Sequence, residues 1–204
     1  MPTHKPTNKP TNKPTNKPTN RPTKAAAPDK NSSSALTLLR EDHKKVKSLF
    51  ADFQKIQDQA RAASRKAELV QQICMELTLH AQIEEELFYP AVRAGIADQE
   101  LMDEAAVEHA GAKDLIAQLL AMQPEDDLYD AKVVVLSESI EHHVEEEEGE
   151  MFSLAKKAHV LTEELADQMR QRKQELLTEM AALEESKRKY KQHPEAGQAH
   201  GAAL

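Results

Sequence analysis

The chain has 204 residues, a formal net charge of -8 at pH 7, a single cysteine and no tryptophan. One cysteine excludes an intramolecular disulfide, no apolar stretch approaches the length of a membrane span, and the N-terminus lacks the apolar core of a signal peptide. We therefore expect a soluble, cytoplasmic protein with one mainly aliphatic core and a tail.

The N-terminal segment, residues 1–33, is basic and contains a four-residue repeat of Lys or Arg followed by Pro, Thr and Asn. Regularly spaced proline removes backbone donors and forbids a helix, and there is almost no apolar side chain to bury. The pattern predicts a disordered tail that acts as a spacer or solubiliser. The alternative is a basic arm that contacts nucleic acid. The rest of the chain is acidic, which argues against nucleic-acid binding by the folded part.

Four helices are predicted at about 34–60, 64–94, 98–122 and 128–157, because apolar residues recur there at steps of three or four residues. The four stripes are, in order, Leu36, Leu39, His43, Val46, Phe50 and Phe53; Leu69, Ile73, Leu77, His80, Glu84, Leu87 and Ala91; Met102, Ala105, His109, Ala112, Ile116 and Leu119; and Val133, Leu136, Ile140, His143, Glu147, Met151 and Leu154. This spacing is typical of an all-α bundle, here over residues 34–158. Cys74 lies beside a stripe and is interpreted as a small core residue.

A fifth helix is predicted at about 162–190, with Thr162 as its N-cap, inside a C-terminal segment 159–191. Its apolar residues could pack on the bundle or on another subunit: Leu165, Met169, Leu176, Met180 and Leu183. Residues 192–204 are expected to form a second disordered tail.

Each of the four bundle stripes contains one histidine, and two of the stripes add a glutamate one helical turn later. The second and fourth helices therefore repeat one motif, in which a carboxylate follows the histidine by four residues and an aromatic follows it by nine. Those aromatics are Tyr89 and Phe152. His142 lies about 100° around the helix from His143 and is expected to face solvent.

A single histidine on an apolar face is usually a hydrogen-bonded core residue, but glutamate is almost never fully buried unless it is paired or bound. Four imidazoles and two carboxylates in one bundle core would be costly without a partner, and a metal removes that cost. The predicted ligands are His43, His80, Glu84, His109, His143 and Glu147. Two carboxylates among four imidazoles suit a pair of metals. A nitrogen and oxygen ligand set without thiolate favours iron, with manganese or zinc as alternative occupants.

The order of these residues resembles the hemerythrin-like (HHE cation-binding) family over about residues 36–157. The resemblance implies an antiparallel up-down four-helix bundle that holds two non-haem iron ions joined by an oxo or hydroxo bridge. It also implies that His43 and His80 bind one iron, that His109 and His143 bind the other, and that Glu84 and Glu147 bridge them.

Two positions depart from the oxygen-carrying hemerythrins. Lys113 stands where they have a second third-helix histidine, and Glu147 follows its histidine by four residues where they have an aspartate five residues on. The Lys113 ammonium has no lone pair for a metal, so it should turn away towards carboxylates or solvent.

The leading interpretation is a di-iron protein that binds oxygen, nitric oxide or peroxide for sensing, storage or protection. The alternative is an enzyme with the same site that decomposes peroxide or reduces nitric oxide. A ferritin-type iron oxidase is disfavoured because the Glu-x-x-His motif of that fold is absent. Buried Glu84 and Glu147 argue against a metal-free helical interaction protein.

Overall fold

The computed structural model describes residues 32–59, 61–97 and 99–192, and this part of the chain forms five helices and no strand. Helix α1 is Ser32–Gln54, α3 is Gln99–Ala121 and α5 is Glu163–Gln192. Helix α2 runs through three consecutive segments, Ala63–Ile83, Glu84–Phe88 and Tyr89–Gly95. Helix α4 is likewise built from Tyr129–Glu146, Glu147–Met151 and Phe152–Lys157. Apart from the helix ends at Ser32, Ser33 and Gln192, the predicted tails at 1–33 and 192–204 lie outside the described residues.

Helices α1 to α4 form the predicted four-helix bundle. Helix α1 packs against α2 and α4, while α3 packs against α2 and α4. Short connections join consecutive helices, so neighbours run antiparallel. The first helix ends at Gln54, several residues before the predicted end, because residues 55–58 form turns instead. None of the described helices combines the length and apolar character needed to cross a bilayer.

The bundle core consists of two apolar layers. One layer contains Leu36, Leu39, Ile83, Phe88, Met102 and Phe152, and the other contains Val46, Phe53, Leu69, Leu77, Leu119 and Leu136. On α1, His43 lies between Leu39 of the first layer and Val46 of the second. On α3, His109 lies between Ala105 and Ala112 in the same way. The predicted histidine positions therefore form a polar layer between the two apolar layers.

The middle segments of α2 and α4 are π-helical, and each begins at the glutamate of the repeated motif. The wider turn shifts the phase of the apolar stripe by one residue beyond that point. As a result the sequence-predicted positions Leu87, Ala91 and Leu154 are only partly buried. Their places in the core are taken by Phe88, Val92, Phe152 and Ala155. The stripe prediction was wrong in these two last turns because it assumed a regular α-helix.

Helix α5 packs on α1 and α2 as an integral part of the fold. Leu165, Met169 and Leu176 are buried in the same apolar layer as Leu36 and Phe88, as predicted. Leu183 is 55% exposed and does not pack on the bundle, so its packing on another subunit stays a prediction. The helix continues past the end of the core at that point.

Candidate metal centre

All six residues predicted to bind metal lie together in the polar layer of the bundle. The exposed fraction is 6% or less for each of the six, and it is 0% for Glu84 and 1% for Glu147. They form two groups of mutually close donor atoms: one contains His43, His80, Glu84 and Glu147, and the other contains Glu84, His109 and His143. Within each group the donor atoms are within 4.8 Å of one another. Glu84 belongs to both.

In the first group, donor atoms of three helices face one another at short range. The Nε2 atoms of His43 and His80 are 3.1 Å apart. The Oε2 atom of Glu147 lies 3.1 Å from His43 Nε2, and the Oε1 atom of Glu84 lies 3.2 Å from His80 Nε2. Neither contact has hydrogen-bond geometry, since both Glu147 oxygens and Glu84 Oε1 have no hydrogen-bond partner.

The second group repeats this arrangement on the other side of Glu84. The Nε2 atoms of His109 and His143 are 3.2 Å apart, and the second oxygen of Glu84, Oε2, lies 3.4 Å from His109 Nε2. The two oxygens of Glu84 therefore face different histidine pairs. The Glu147 carboxylate meets the His43 pair, so the bridging role expected for Glu147 stays a prediction.

The other nitrogen of each ring, Nδ1, faces a carboxylate. The pairs are His43 with Glu148 at 2.8 Å, His109 with Glu85 at 2.9 Å, His143 with Glu108 at 2.7 Å, and His80 with Asp42 at a longer 3.7 Å. An ionised carboxylate only accepts hydrogen bonds, so it fixes the proton on Nδ1 and leaves the lone pair on Nε2. At His43, His109 and His143, where this contact is a hydrogen bond, Nε2 points a lone pair into the polar layer, which is the arrangement of a metal-binding imidazole.

Each of these carboxylates is paired in turn with a basic side chain. Arg40 contacts Glu148 at 3.2 Å, Lys113 contacts Glu85 at 2.5 Å, Lys173 of α5 contacts Asp42, and His142 lies 3.7 Å from Glu108. The prediction that Lys113 turns towards a carboxylate is confirmed. His142 is mostly exposed, as expected, and its only link to the buried layer is through Glu108. Burial acts to raise the pKa of Asp42, Glu85 and Glu148, but the basic partners of these three carboxylates help to lower it below its ordinary value.

The surroundings of His43 and His80, the first pair, shift their pKa values in opposite directions. Burial, followed by the charge of His80, lowers the pKa of His43 to about 4. Burial acts on His80 in the same direction, but the charge of Glu84 and the nearby Asp42 carboxylate outweigh it and raise the pKa of His80 to about 9. One imidazole of the pair is thus held neutral while its neighbour is stabilised in the charged form.

The carboxylates of Glu84 and Glu147 are both buried in the same polar layer, and their pKa values shift in opposite directions. Burial and the charge of Glu84 raise the pKa of Glu147 well above its ordinary value of 4.5. The pKa of Glu84 is lowered, since the charge of His80 overcomes the effect of burial. Two adjacent carboxylates cannot both ionise in a dry site unless a positive charge joins them. A multivalent cation would supply that charge.

Tyr89 is a site residue that the sequence analysis did not assign. Its hydroxyl oxygen lies 3.0 Å from His109 Nε2, 3.3 Å from His143 Nε2 and 3.3 Å from Glu84 Oε2. In a regular α-helix Tyr89 would point about 140° away from Glu84. The π-helical turn places residue i+5 above residue i, and the Tyr89 N–H donates to the Glu84 carbonyl. Burial, with the charges of Glu84 and Glu147, raises the pKa of Tyr89 well above 10.

Four outer carboxylates were missed as well. Glu85 and Glu148 directly follow the two buried glutamates. Glu108 precedes His109 in sequence but serves His143. Asp42 precedes His43 but faces His80. The sequence could have indicated these carboxylates, because each one is next to a predicted site residue. Each of them, however, contacts a histidine of a different helix.

A small cavity lies beside the histidines of the polar layer. Its volume is about 50 Å³, and its walls include all four site histidines. The rest of the wall is mainly apolar: Val46, Leu77, Ala81, Ala112, Ile116, Ile140 and Val144. A single water needs roughly 10–15 Å³, so the cavity has room for a molecule of two or three atoms.

The part of the chain that forms this bundle matches a known family model. The model, described as the hemerythrin HHE cation-binding domain, matches residues 34–155. Among solved structures, the crystal structure of a hemerythrin HHE cation-binding domain-containing protein from Mycobacterium kansasii is similar, with a TM-score of 0.57 and 26% sequence identity. That similarity covers 70% of this chain and 86% of the other.

A curated relative from Nostoc sp. (strain PCC 7120 / SAG 25.82 / UTEX 2576), named DNA nickase, is 34% identical over 128 residues. The match covers 61% of this chain and 34% of the relative. The chain therefore spans about a third of the length of that relative.

Proposed function

The chain belongs to the hemerythrin HHE cation-binding domain family, and from that premise we propose that it binds two non-haem iron ions and uses them to bind oxygen, nitric oxide or peroxide. Binding of this small molecule would serve to sense it, to store it or to protect against it as an oxidant. His43, His80 and Glu147 would hold one ion, His109 and His143 the other, and Glu84 would contact both.

The donor atoms themselves support a pair of cations. The Nε2 atoms of His43 and His80, 3.1 Å apart, can face each other only with a proton or a cation between them. The same holds for His109 and His143 at 3.2 Å. Without a metal the charged form of His80 supplies the proton of the first pair, which a bound cation would displace. Atoms that bind one ion at about 2.1 Å and at right angles are about 3.0 Å apart, close to both separations. The oxygens of Glu84 and Glu147 that have no hydrogen-bond partner face the same space.

The ligand chemistry favours iron among the available metals. The donors are imidazole nitrogen and carboxylate oxygen, a set that suits iron. The only cysteine, Cys74, is buried in the second apolar layer, away from the donor groups. Bound ferrous iron would supply the electrons with which a small oxidant is held or reduced.

The apolar cavity against the four histidines is the observation that carries the proposal. Its size admits a diatomic or triatomic molecule and excludes large substrates, and apart from the histidines, Asp42, Thr78 and Lys113 its lining is apolar. This chain's own residues thus select for a small, weakly polar ligand. The outer carboxylates hold the histidine rings in place while the ligand enters.

We do not extend DNA nicking to this chain. That name belongs to a relative of which the chain matches a third. The donor groups here are almost completely buried, so a phosphodiester backbone has no route to them. Contact between nucleic acid and the basic segment 1–33 remains a separate prediction.

The proposal is tested by mixing reduced, iron-loaded protein with oxygen, nitric oxide or peroxide and following the optical spectrum. Ala112→Leu, which narrows the cavity beside His109, should slow the spectral change at least tenfold while iron content stays the same. Ala117→Leu, on the exposed face of the same helix, is the matched control. Equal rates in all three proteins would overturn the assignment of the cavity as the ligand site. Continuous consumption of excess peroxide would assign the enzyme alternative instead of simple binding.

A further inference from the structure

We propose that the phenol oxygen of Tyr89 is a protein ligand of the metal ion held by His109, His143 and Glu84, so that the two metal positions differ chemically. This inference rests on the proposed function, because it concerns the same buried centre. It adds a third donor type, a phenolate, to the imidazoles and carboxylates.

The position of the oxygen is set by three neighbours at once. Tyr89 Oη lies 3.0–3.3 Å from His109 Nε2, His143 Nε2 and Glu84 Oε2. A phenol has one proton and can donate it to only one of the three. Since the Nδ1 protons of both rings face Glu85 and Glu108, the two Nε2 atoms and the Glu84 oxygen are all acceptors. One hydrogen bond cannot satisfy this group, whereas a cation at its centre can.

The distances match a single coordination site. The two imidazole nitrogens are 3.2 Å apart, and Glu84 Oε2 lies 3.4 Å from His109 Nε2. With Tyr89 Oη included, five of the six separations among these four atoms are 3.0–3.4 Å, and the sixth, from His143 Nε2 to Glu84 Oε2, is longer, so the atoms form an open tetrahedron. Four corners separated by about 3.2 Å share a centre about 2.0 Å from each, which is the length of a metal–nitrogen or metal–oxygen bond.

The proposal also explains an asymmetry in the two groups. On the His43 side, Glu147 supplies an anionic oxygen in addition to the two imidazoles and Glu84. The His109 side has no second glutamate in its group, and Tyr89 occupies the corresponding place. The matching aromatic of the other motif copy is Phe152, which stacks near His43 and brings no oxygen. Each position thus receives two imidazoles, one oxygen of Glu84 and one further oxygen.

When the ion binds, the Tyr89 O–H bond breaks, its proton is released to solvent, and the oxygen lone pair bonds to the cation. A phenolate bound to ferric iron absorbs visible light through charge transfer from the ring to the metal. Excitation in that band enhances the ring vibrations in a resonance Raman spectrum. Oxygen-bridged iron without a phenolate lacks these ring vibrations, so they report the ligand directly.

The test uses the full chain loaded with ferrous iron without oxygen and then oxidised in air. We expect a visible charge-transfer band with tyrosinate Raman modes, both lost in Tyr89→Phe. The chain has three tyrosines, so Tyr129→Phe and Tyr190→Phe are complete controls and should keep both signals. Tyr89→Phe should also weaken one of the two iron positions at least tenfold in chelator competition, since it removes a ligand but no packing volume.

The outcomes separate this inference from the proposed function. Wild-type protein that binds no iron would contradict both. Wild-type protein that binds two irons without tyrosinate modes would overturn the role of Tyr89 alone, whether or not the variant folds. Signals that persist in Tyr89→Phe but vanish in Tyr129→Phe or Tyr190→Phe would also overturn it.

Discussion

The ammonium group of Lys113 lies 2.5 Å from the Glu85 carboxylate, whose other oxygen contacts Nδ1 of His109. Lys113 is therefore linked to the candidate metal centre through two intervening groups, Glu85 and His109. Its charge helps to lower the pKa of Glu85 against the effect of burial. An ionised Glu85 in turn fixes the orientation and the proton of His109.

Replacing Lys113 by methionine should therefore weaken one metal position. Without the ammonium, Glu85 is free to move and His109 is held less firmly. We expect the affinity for the ion beside His109 to fall about tenfold, as is usual for the loss of an outer partner, with the other ion unaffected. Chelator competition with iron-loaded protein measures this. Lys44→Met, at an exposed position next to His43, is the control. An equal effect in both variants would refute the link from Lys113 through Glu85 to His109.

The two adjacent histidines of α4 should differ sharply. His143→Ala should lose iron and thermal stability together, because a metal that binds only the folded state stabilises it by mass action. His142→Ala should keep both, since His142 is exposed and touches only Glu108 and Glu146. Metal content and melting temperature measured on the same samples decide the matter. Iron loss in His142→Ala with retention in His143→Ala would reverse the assignment.

Helix α5 should stabilise the centre through Lys173. Its ammonium contacts Asp42, which is buried and faces His80. Lys173→Met leaves that carboxylate without its cation, so the free energy of unfolding should fall by about 1–3 kcal/mol. Lys187→Met, which breaks only an exposed pair with Glu184, should change it by less than about 0.5 kcal/mol. Urea denaturation of both variants gives the comparison, and equal losses would contradict the role of Lys173.

Cys74 offers a probe of the link between metal and fold. Burial raises the pKa of its thiol to about 11, so the folded protein holds it both inaccessible and protonated. At pH 8 we expect slow labelling by a thiol reagent in iron-loaded protein and at least tenfold faster labelling after chelation, because the metal-free fold opens more often. Ala117→Cys, on an exposed face, should label fast in both states. Equal labelling rates of Cys74 before and after chelation would show that the metal does not stabilise this part of the bundle.

The sequence predicts most of the helices and the burial of their stripes because spacing alone determines which face of a regular helix is apolar. Leu36 to Phe53 on α1 and Met102 to Leu119 on α3 follow that rule throughout. Beyond Glu84 and Glu147 the rule fails, since each residue begins a π-helical turn that apolar spacing does not reveal. Phe88 and Phe152 are buried for this reason.

The outer part of the site could not be predicted for a different reason. Spacing along one helix brings His80 and Glu84 together, but it does not say which residue of another helix faces a given ring. Glu148 of α4 serves His43 of α1, and Glu108 of α3 serves His143 of α4. Such pairs depend on the relative rotation of packed helices. Tyr89 combines both difficulties, because it needs the π-helical turn and the approach of α3 and α4.

The most direct measurement of the central claim is the metal content of the full chain expressed with ample iron and purified without oxygen, followed by its optical spectrum before and after air. Four imidazoles and two buried carboxylates predict close to two irons per chain, with charge-transfer absorption in the near ultraviolet that appears on oxidation. A single tightly held zinc with no iron, or a folded protein with no metal at all, would contradict it.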